Sequence, residues 1–134
     1  MSGSPLKSRP SKGMLIAGWI VSAIPILFML FGIVYSIVKP DAVTEGMAKY
    51  GYSADAARPI VFVEAACVLI YLIPRTSILG AILLTGYLGG ATATHVRVGE
   101  VFVFPIAVGV LIWLGLVLRD PILRGLIPLR RAQG

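Results

Sequence analysis

The sequence predicts an all-α integral membrane protein: a four-helix bundle with a short interfacial helix on the outer side between the first two spans. Two observations carry this reading. Of the 134 residues, 57% are hydrophobic and only 13% charged, about half the roughly 25% charged share usual in a soluble domain. The apolar residues also gather into four runs, 14–38, 59–74, 76–94 and 101–118. A helix crosses a bilayer with about 17–25 such residues. The second run reaches that length only if its helix begins near Ala54, ahead of Pro59. A single membrane domain, 14–119, then leaves no room for a soluble catalytic domain.

Ahead of it, residues 1–13 (MSGSPLKSRPSKG) are polar, basic and rich in Ser, Pro and Gly, which predicts a disordered cytoplasmic tail. The first run is too long for the apolar core of a signal peptide, and no small-residue cleavage site follows it. It is therefore expected to stay as the first helix. Pro25 near its middle removes one backbone hydrogen bond and predicts a kink. Gly18 and Ser22, four apart, permit a close neighbour.

The longest connection, 39–58, contains DAVTEGMAKYGY. Asp41 is suited to cap a helix whose partial apolar face is Ala42, Val43, Met47 and Tyr50, with Gly51 to stop it. That predicts a short helix on the outer membrane surface, placed to act as a lid; an irregular loop is the alternative. Ser53 offers a second cap, and Asp55 suits the next first turn. In the third helix, Gly86 and Gly90 form one small-residue row, and Ala81, Thr85, Gly89 and Ala93 another. Such rows serve packing within the bundle or a homo-oligomer contact. Pro105 and Gly109 are expected to bend the fourth helix, and Trp19 and Trp113 to anchor or pack near the cytoplasmic level. Residues 120–134 mix apolar and basic side chains and read as a membrane-surface tail, not a fifth span.

Eight lysines and arginines fall at the termini and the second turn, against four (Lys39, Lys49, Arg58 and Arg97) on the other face. The positive-inside rule then places both termini in the cytoplasm, with a bacterial inner membrane as the expected location. The net charge of +6 follows from that topology and from attraction to anionic lipid, so no nucleic-acid partner is expected. The single cysteine, Cys67, cannot form an intramolecular disulfide or a CxxC redox pair.

Chemistry concentrates at one end. Helices two and three are antiparallel, so the start of one and the end of the other share the outer side. Glu64, five residues past Pro59, lies roughly 7–8 Å deeper at 1.5 Å per residue. His95, Arg97 and Glu100 lie at the matching end of helix three. A carboxylate inside a span costs a few kcal/mol unless paired, hydrated or protonated. Glu64 is therefore the leading candidate, as an acid/base group, a ligand anchor or a proton relay, with a structural hydrogen bond or ion pair to Arg58 or Arg97 as the alternative. Cys67 and Tyr71 continue its stripe, as a pocket lining or a packed seam. His95 can titrate near neutrality or bond Glu64 or a backbone carbonyl. Arg97 is suited to an anionic group or to Glu64 and Glu100, and Tyr87 is a further polar contributor or a core aromatic. One histidine with separated carboxylates does not make a metal site.

The stretches GYLGGATATHVRVGE (86–100) and VFVEAACVLIYLIPR (61–75) resemble the DoxX-like family of small four-helix membrane proteins, over approximately residues 14–119. The resemblance implies a compact four-helix transmembrane fold with Glu64 and the His95–Arg97 region as pocket residues. It also implies association with membrane redox assemblies, including quinone-linked sulfur oxidation. The chain departs from self-sufficient electron transfer in lacking a dithiol and any flavin or haem motif.

The expected function is binding of a small lipophilic molecule, such as a quinone, in an outer-half pocket, or service as the accessory subunit of a membrane redox partner. The ligand-binding set is Glu64, Tyr87, His95, Arg97 and Glu100. The alternatives are an acid/base enzyme such as an isomerase, with Glu64 removing a proton and His95 returning one, and a structural scaffold whose charges only hold its packing.

Overall fold

Ser11 opens the first helix by accepting a hydrogen bond from the Met14 N–H at 3.2 Å, a side-chain cap for an otherwise unpaired donor. The computed structural model describes residues 9–127, and its regular elements are all helical: α1 (Lys12–Val38), α2 (Pro40–Ala48), α3 (Ala57–Leu72), α4 (Ser77–Val98), α5 (Val103–Arg119) and α6 (Pro121–Leu126). Single 3₁₀ turns, Ala54–Ala56 and Pro74–Thr76, precede α3 and α4. Residues 1–8 and 128–134, the outer parts of the two expected tails, lie outside the described residues.

Each boundary has a local cause. α1 runs through the buried Pro25 and ends where Lys39 leaves helical geometry at φ −128° and ψ 65°. Pro40 then opens α2, at a position where the missing N–H costs nothing. Asp41 sits in the first turn of α2 rather than at its cap, where its charge still complements the helix dipole. Ser53 stands before the 3₁₀ turn without a side-chain capping bond. Pro74 ends α3, since a residue before proline avoids helical geometry. The Thr76 hydroxyl donates to the Ile70 carbonyl at 2.8 Å and the Ser77 hydroxyl to the Tyr71 carbonyl at 2.9 Å, satisfying acceptors at the end of α3. Gly99, at φ +75°, closes α4 with the left-handed geometry a glycine adopts most easily. Pro105 was expected within a span as a bend. Because α5 begins at Val103, it lies instead in the first turn, where no intrahelical acceptor awaits its nitrogen.

Four helices, α1, α3, α4 and α5, pack around one core. α1 meets α5 most extensively, α3 meets α4, α4 meets α5, and α1 meets α3 least, so α1 and α4 stand diagonally. The interior is built from Ile26, Met29, Val68, Tyr71, Leu84, Ile112 and Leu116. Tyr71 stays buried because its hydroxyl donates to the Ile112 carbonyl at 2.8 Å and lies 3.1 Å from Ser22 Oγ. Gly18 and Ser22 do permit a close approach: a Cβ on Gly115 of α5 would run into Ser22 Oγ and lie 3.0 Å from the Gly18 carbonyl.

The small-residue rows of α4 meet neighbours within the bundle only in part, with Ala81 buried in the core. A Cβ added at Gly86, Gly89 or Gly90 would meet nothing within 4 Å. The close approach on this helix is at Gly80, packed onto the backbone of Tyr71. Thr85 accepts a hydrogen bond from the Trp113 indole at 2.7 Å, so Trp113 ties α5 to α4.

Outward, the bundle is apolar. Ile16, Leu27, Phe31, Ile37 and Phe62 are among many large hydrophobic side chains left exposed, which in water would be a liability. α1 and the Pro74–Val98 segment are long and apolar enough to cross a membrane, and α5 is a shorter apolar helix. The protein is an all-α membrane helical bundle, and the lipid bilayer covers this surface.

Candidate functional site

Glu64 lies on the second turn of α3 and Tyr87 halfway along α4. Antiparallel packing brings them level, and the Tyr87 hydroxyl donates to Glu64 Oε2 at 3.1 Å. The pair lines a cavity of about 570 Å³, within the roughly 300–1,000 Å³ usual for small-molecule sites. Gly32, Tyr35 and Ser36 of α1, Val43 and Met47 of α2, and Gly86 and Gly90 of α4 share its walls. The two α4 glycines thus leave room on the cavity side instead of admitting a neighbouring helix. An ionisable group among mostly apolar walls is the arrangement expected of an intramembrane functional site.

The segment after α2 is fastened across the C-terminal end of α4. Tyr52 Oη and Thr94 Oγ1 are 2.8 Å apart, and the Tyr50 hydroxyl donates to Glu100 Oε2 at 2.7 Å. The Arg97 guanidinium donates to the Tyr50 carbonyl. Between the two tyrosines, Gly51 turns the chain at φ +83°. The Glu100 carboxylate, by accepting a hydrogen bond from the Tyr50 hydroxyl, holds that phenol above its ordinary value, with partial desolvation acting the same way.

His95 also lines the cavity. Its Nδ1 is 2.7 Å from the Ala91 carbonyl, and its ring faces the Tyr50 ring at 5.3 Å between centroids. A carbonyl only accepts, so Nδ1 carries the hydrogen and, in the neutral ring, Nε2 is left as an acceptor.

The five sequence candidates therefore divide. Glu64, Tyr87 and His95 share one cavity. Arg97 and Glu100 do not line it; they hold the Tyr50–Tyr52 segment in place. Of the partners open to Glu64, the structure has a hydrogen bond from Tyr87 and not an ion pair with Arg58 or Arg97. Cys67 and Tyr71 prove to be the packed seam, both buried in the core. Tyr50, Tyr52 and Thr94 are the contributors that sequence reasoning missed at the cavity. Two tyrosines flanking a glycine beside the predicted surface helix were the signal for them. Among the described residues, no three His, Cys, Asp or Glu side chains gather where they could hold a metal ion.

Compared with known proteins, the chain matches no curated protein and no solved structure. A family model does match, over residues 20–116. The matched span takes in α3 and α4 whole, most of α1 and α5, the fastened segment and every residue of the cavity. By that match and by its apolar helical bundle, the chain belongs to the DoxX-like family.

Proposed function

We propose that this membrane protein binds a small lipophilic molecule with a polar head in the cavity of Glu64 and Tyr87. In this reading all four long helices cross a bacterial inner membrane, both termini are cytoplasmic and the cavity lies in the outer half. The observation that carries it is the Glu64–Tyr87 hydrogen bond inside a mostly apolar cavity large enough for a ligand. A quinone fits the pair: the hydroxyl of its reduced form donates to Glu64, and the carbonyl of its oxidised form accepts from the Tyr87 hydroxyl once that single hydrogen turns away from Glu64. The chain then serves as an accessory subunit, presenting or storing the lipophile for a membrane redox partner.

Native mass spectrometry of the detergent-extracted protein tests this. Wild type is expected to carry a defined small lipophilic adduct that Glu64→Gln loses. A folded wild type that repeatedly carries none, and takes up none from added quinone, overturns the reading.

That Glu64 and His95 line the same cavity favours a second reading, an acid/base isomerase. It requires the adduct to gain mass in deuterium oxide through proton exchange at carbon, and Glu64→Gln or His95→Gln to stop the gain. An adduct that never exchanges leaves binding alone.

A further inference from the structure

A second cavity, of about 870 Å³, has walls from α1, α2, the Ala54–Ala56 turn and the first half of α3 alone. Neither α4 nor α5 contributes, so it occupies the cleft between α1 and α3 at the perimeter of the bundle. Those two helices are also the least extensively packed of the neighbouring long pairs. The lips of the cleft are bare apolar side chains, Ile37 at 72% and Phe62 at 76% exposure, which face lipid. Deeper in, Ile33 and Ala65 line it. Its charged lining is confined to its outer end, Asp55 in the 3₁₀ turn and Arg58 at the start of α3, with Thr44 of α2 as a further polar residue.

The two cavities are neighbours. Ser36, Val43 and Val61 line both, one residue each from α1, α2 and α3. On one side of these three side chains is the Glu64–Tyr87 pair; on the other is an apolar cleft open to the bilayer.

We propose that the two cavities form one site for a single-chain amphiphile. Its polar head sits against Glu64 and Tyr87, and its chain passes Ser36, Val43 and Val61 into the α1–α3 cleft. This rests on the binding reading above and adds to it the class of ligand and its route. A chain lying in the cleft exchanges lipid contact for protein contact without crossing water, so the ligand arrives sideways from the membrane. The inner cavity then has only the head to accommodate, and selects it by hydrogen bonding. α2 forms the roof over the passage through Val43.

The test uses the full chain in detergent and two probes, a dimethoxybenzoquinone without a tail and the same ring with a decyl tail. Ala65→Phe fills the cleft from α3, at a residue that does not line the inner cavity. Thr44→Trp fills it from α2, outside the core and likewise away from the inner cavity, and keeps the test open should the first variant not fold. Each variant is expected to weaken the decyl probe by about tenfold or more, the equivalent of two well-buried methylenes. The tailless probe is expected to stay within about threefold of wild type, since its binding draws nothing from the cleft. Equal effects on both probes, or no effect on either, overturn the shared site while leaving binding at Glu64 intact. Failure of wild type to bind either probe overturns the quinone reading and the shared site together.

Discussion

Glu64 was legible from sequence because a carboxylate inside an apolar run has to be accounted for; its partner was not. Which side chain it meets depends on how α3 and α4 rotate against each other, and a uniformly apolar run carries no such phase. Pairing with Glu64 was one of the readings open to Arg97, yet its place near the end of α4 directs it to the Tyr50 carbonyl. Tyr87 takes the place instead. Tyr87→Phe retains the ring and removes only the donor to Glu64. It is expected to cost about 1 kcal/mol of stability and to reduce retention of the lipophilic adduct. Thermal unfolding and native mass spectra of the variant check both, and an unchanged adduct would remove the Tyr87 hydroxyl from the site. At Tyr50 the folded protein favours the neutral phenol, so its ionisation lies above the ordinary value of 10. The stabilisation is then full below about pH 10 and is lost as pH rises through the raised value. Wild type should lose thermal stability over that alkaline range more steeply than Tyr50→Phe, and parallel curves would show that the Tyr50–Glu100 contact contributes nothing.

Helix positions, unlike helix rotations, follow from local chemistry. Gly51 and Pro74 mark boundaries that the sequence reading found, and the short α2 was foreseen from its partial apolar face and its glycine stop, whereas the apolar run that ends at Thr94 did not show that α4 continues to Val98. The packing faces were harder. Small residues four apart signal that a backbone is approachable, but not that something approaches it. On α1 the signal was met by Gly115 of α5; on α4 the approach is at Gly80, and Gly86 and Gly90 border a cavity. The difference is measurable. Gly115→Ala places a methyl against Ser22 and the Gly18 carbonyl, where neither backbone can yield without separating α1 from α5. Overpacking of this kind costs about 1–3 kcal/mol. Gly89→Ala meets nothing within 4 Å and removes a flexible residue from a helix interior, which stabilises by up to about 1 kcal/mol. Melting of the two variants in one detergent should therefore move in opposite directions. A fall for both would place an unrecognised neighbour on the open face of α4.

Across the whole molecule, side-chain contacts sort the chain into two ends. At one, the Arg119 guanidinium lies 4.1 Å from the centre of the Trp19 ring, and Arg124 Nη1 is 3.2 Å from Met14 Sδ, which joins the start of α1 to the end of α5 and to α6. At the other, Tyr50 and Tyr52 join the segment after α2 to the end of α4. Of the twelve lysines and arginines, the sequence assigns eight to the first end and four to the second, and the orientation proposed above, with the first end cytoplasmic and the cavity outside, rests on that count through the positive-inside rule. Single cysteines test it directly, because the native Cys67 is buried and Cys67→Ala gives a silent background. Ala54→Cys, exposed in the turn before α3, should react with a membrane-impermeant maleimide in intact cells. Leu126→Cys, exposed at the end of α6, should react only after the membrane is opened. The reverse pattern would turn the cavity toward the cytoplasm and require the ligand to come from the inner leaflet. Labelling of both sites in intact cells would mean that the two ends do not lie on opposite sides of a membrane, and the apolar surface of the bundle would then need a protein partner to cover it.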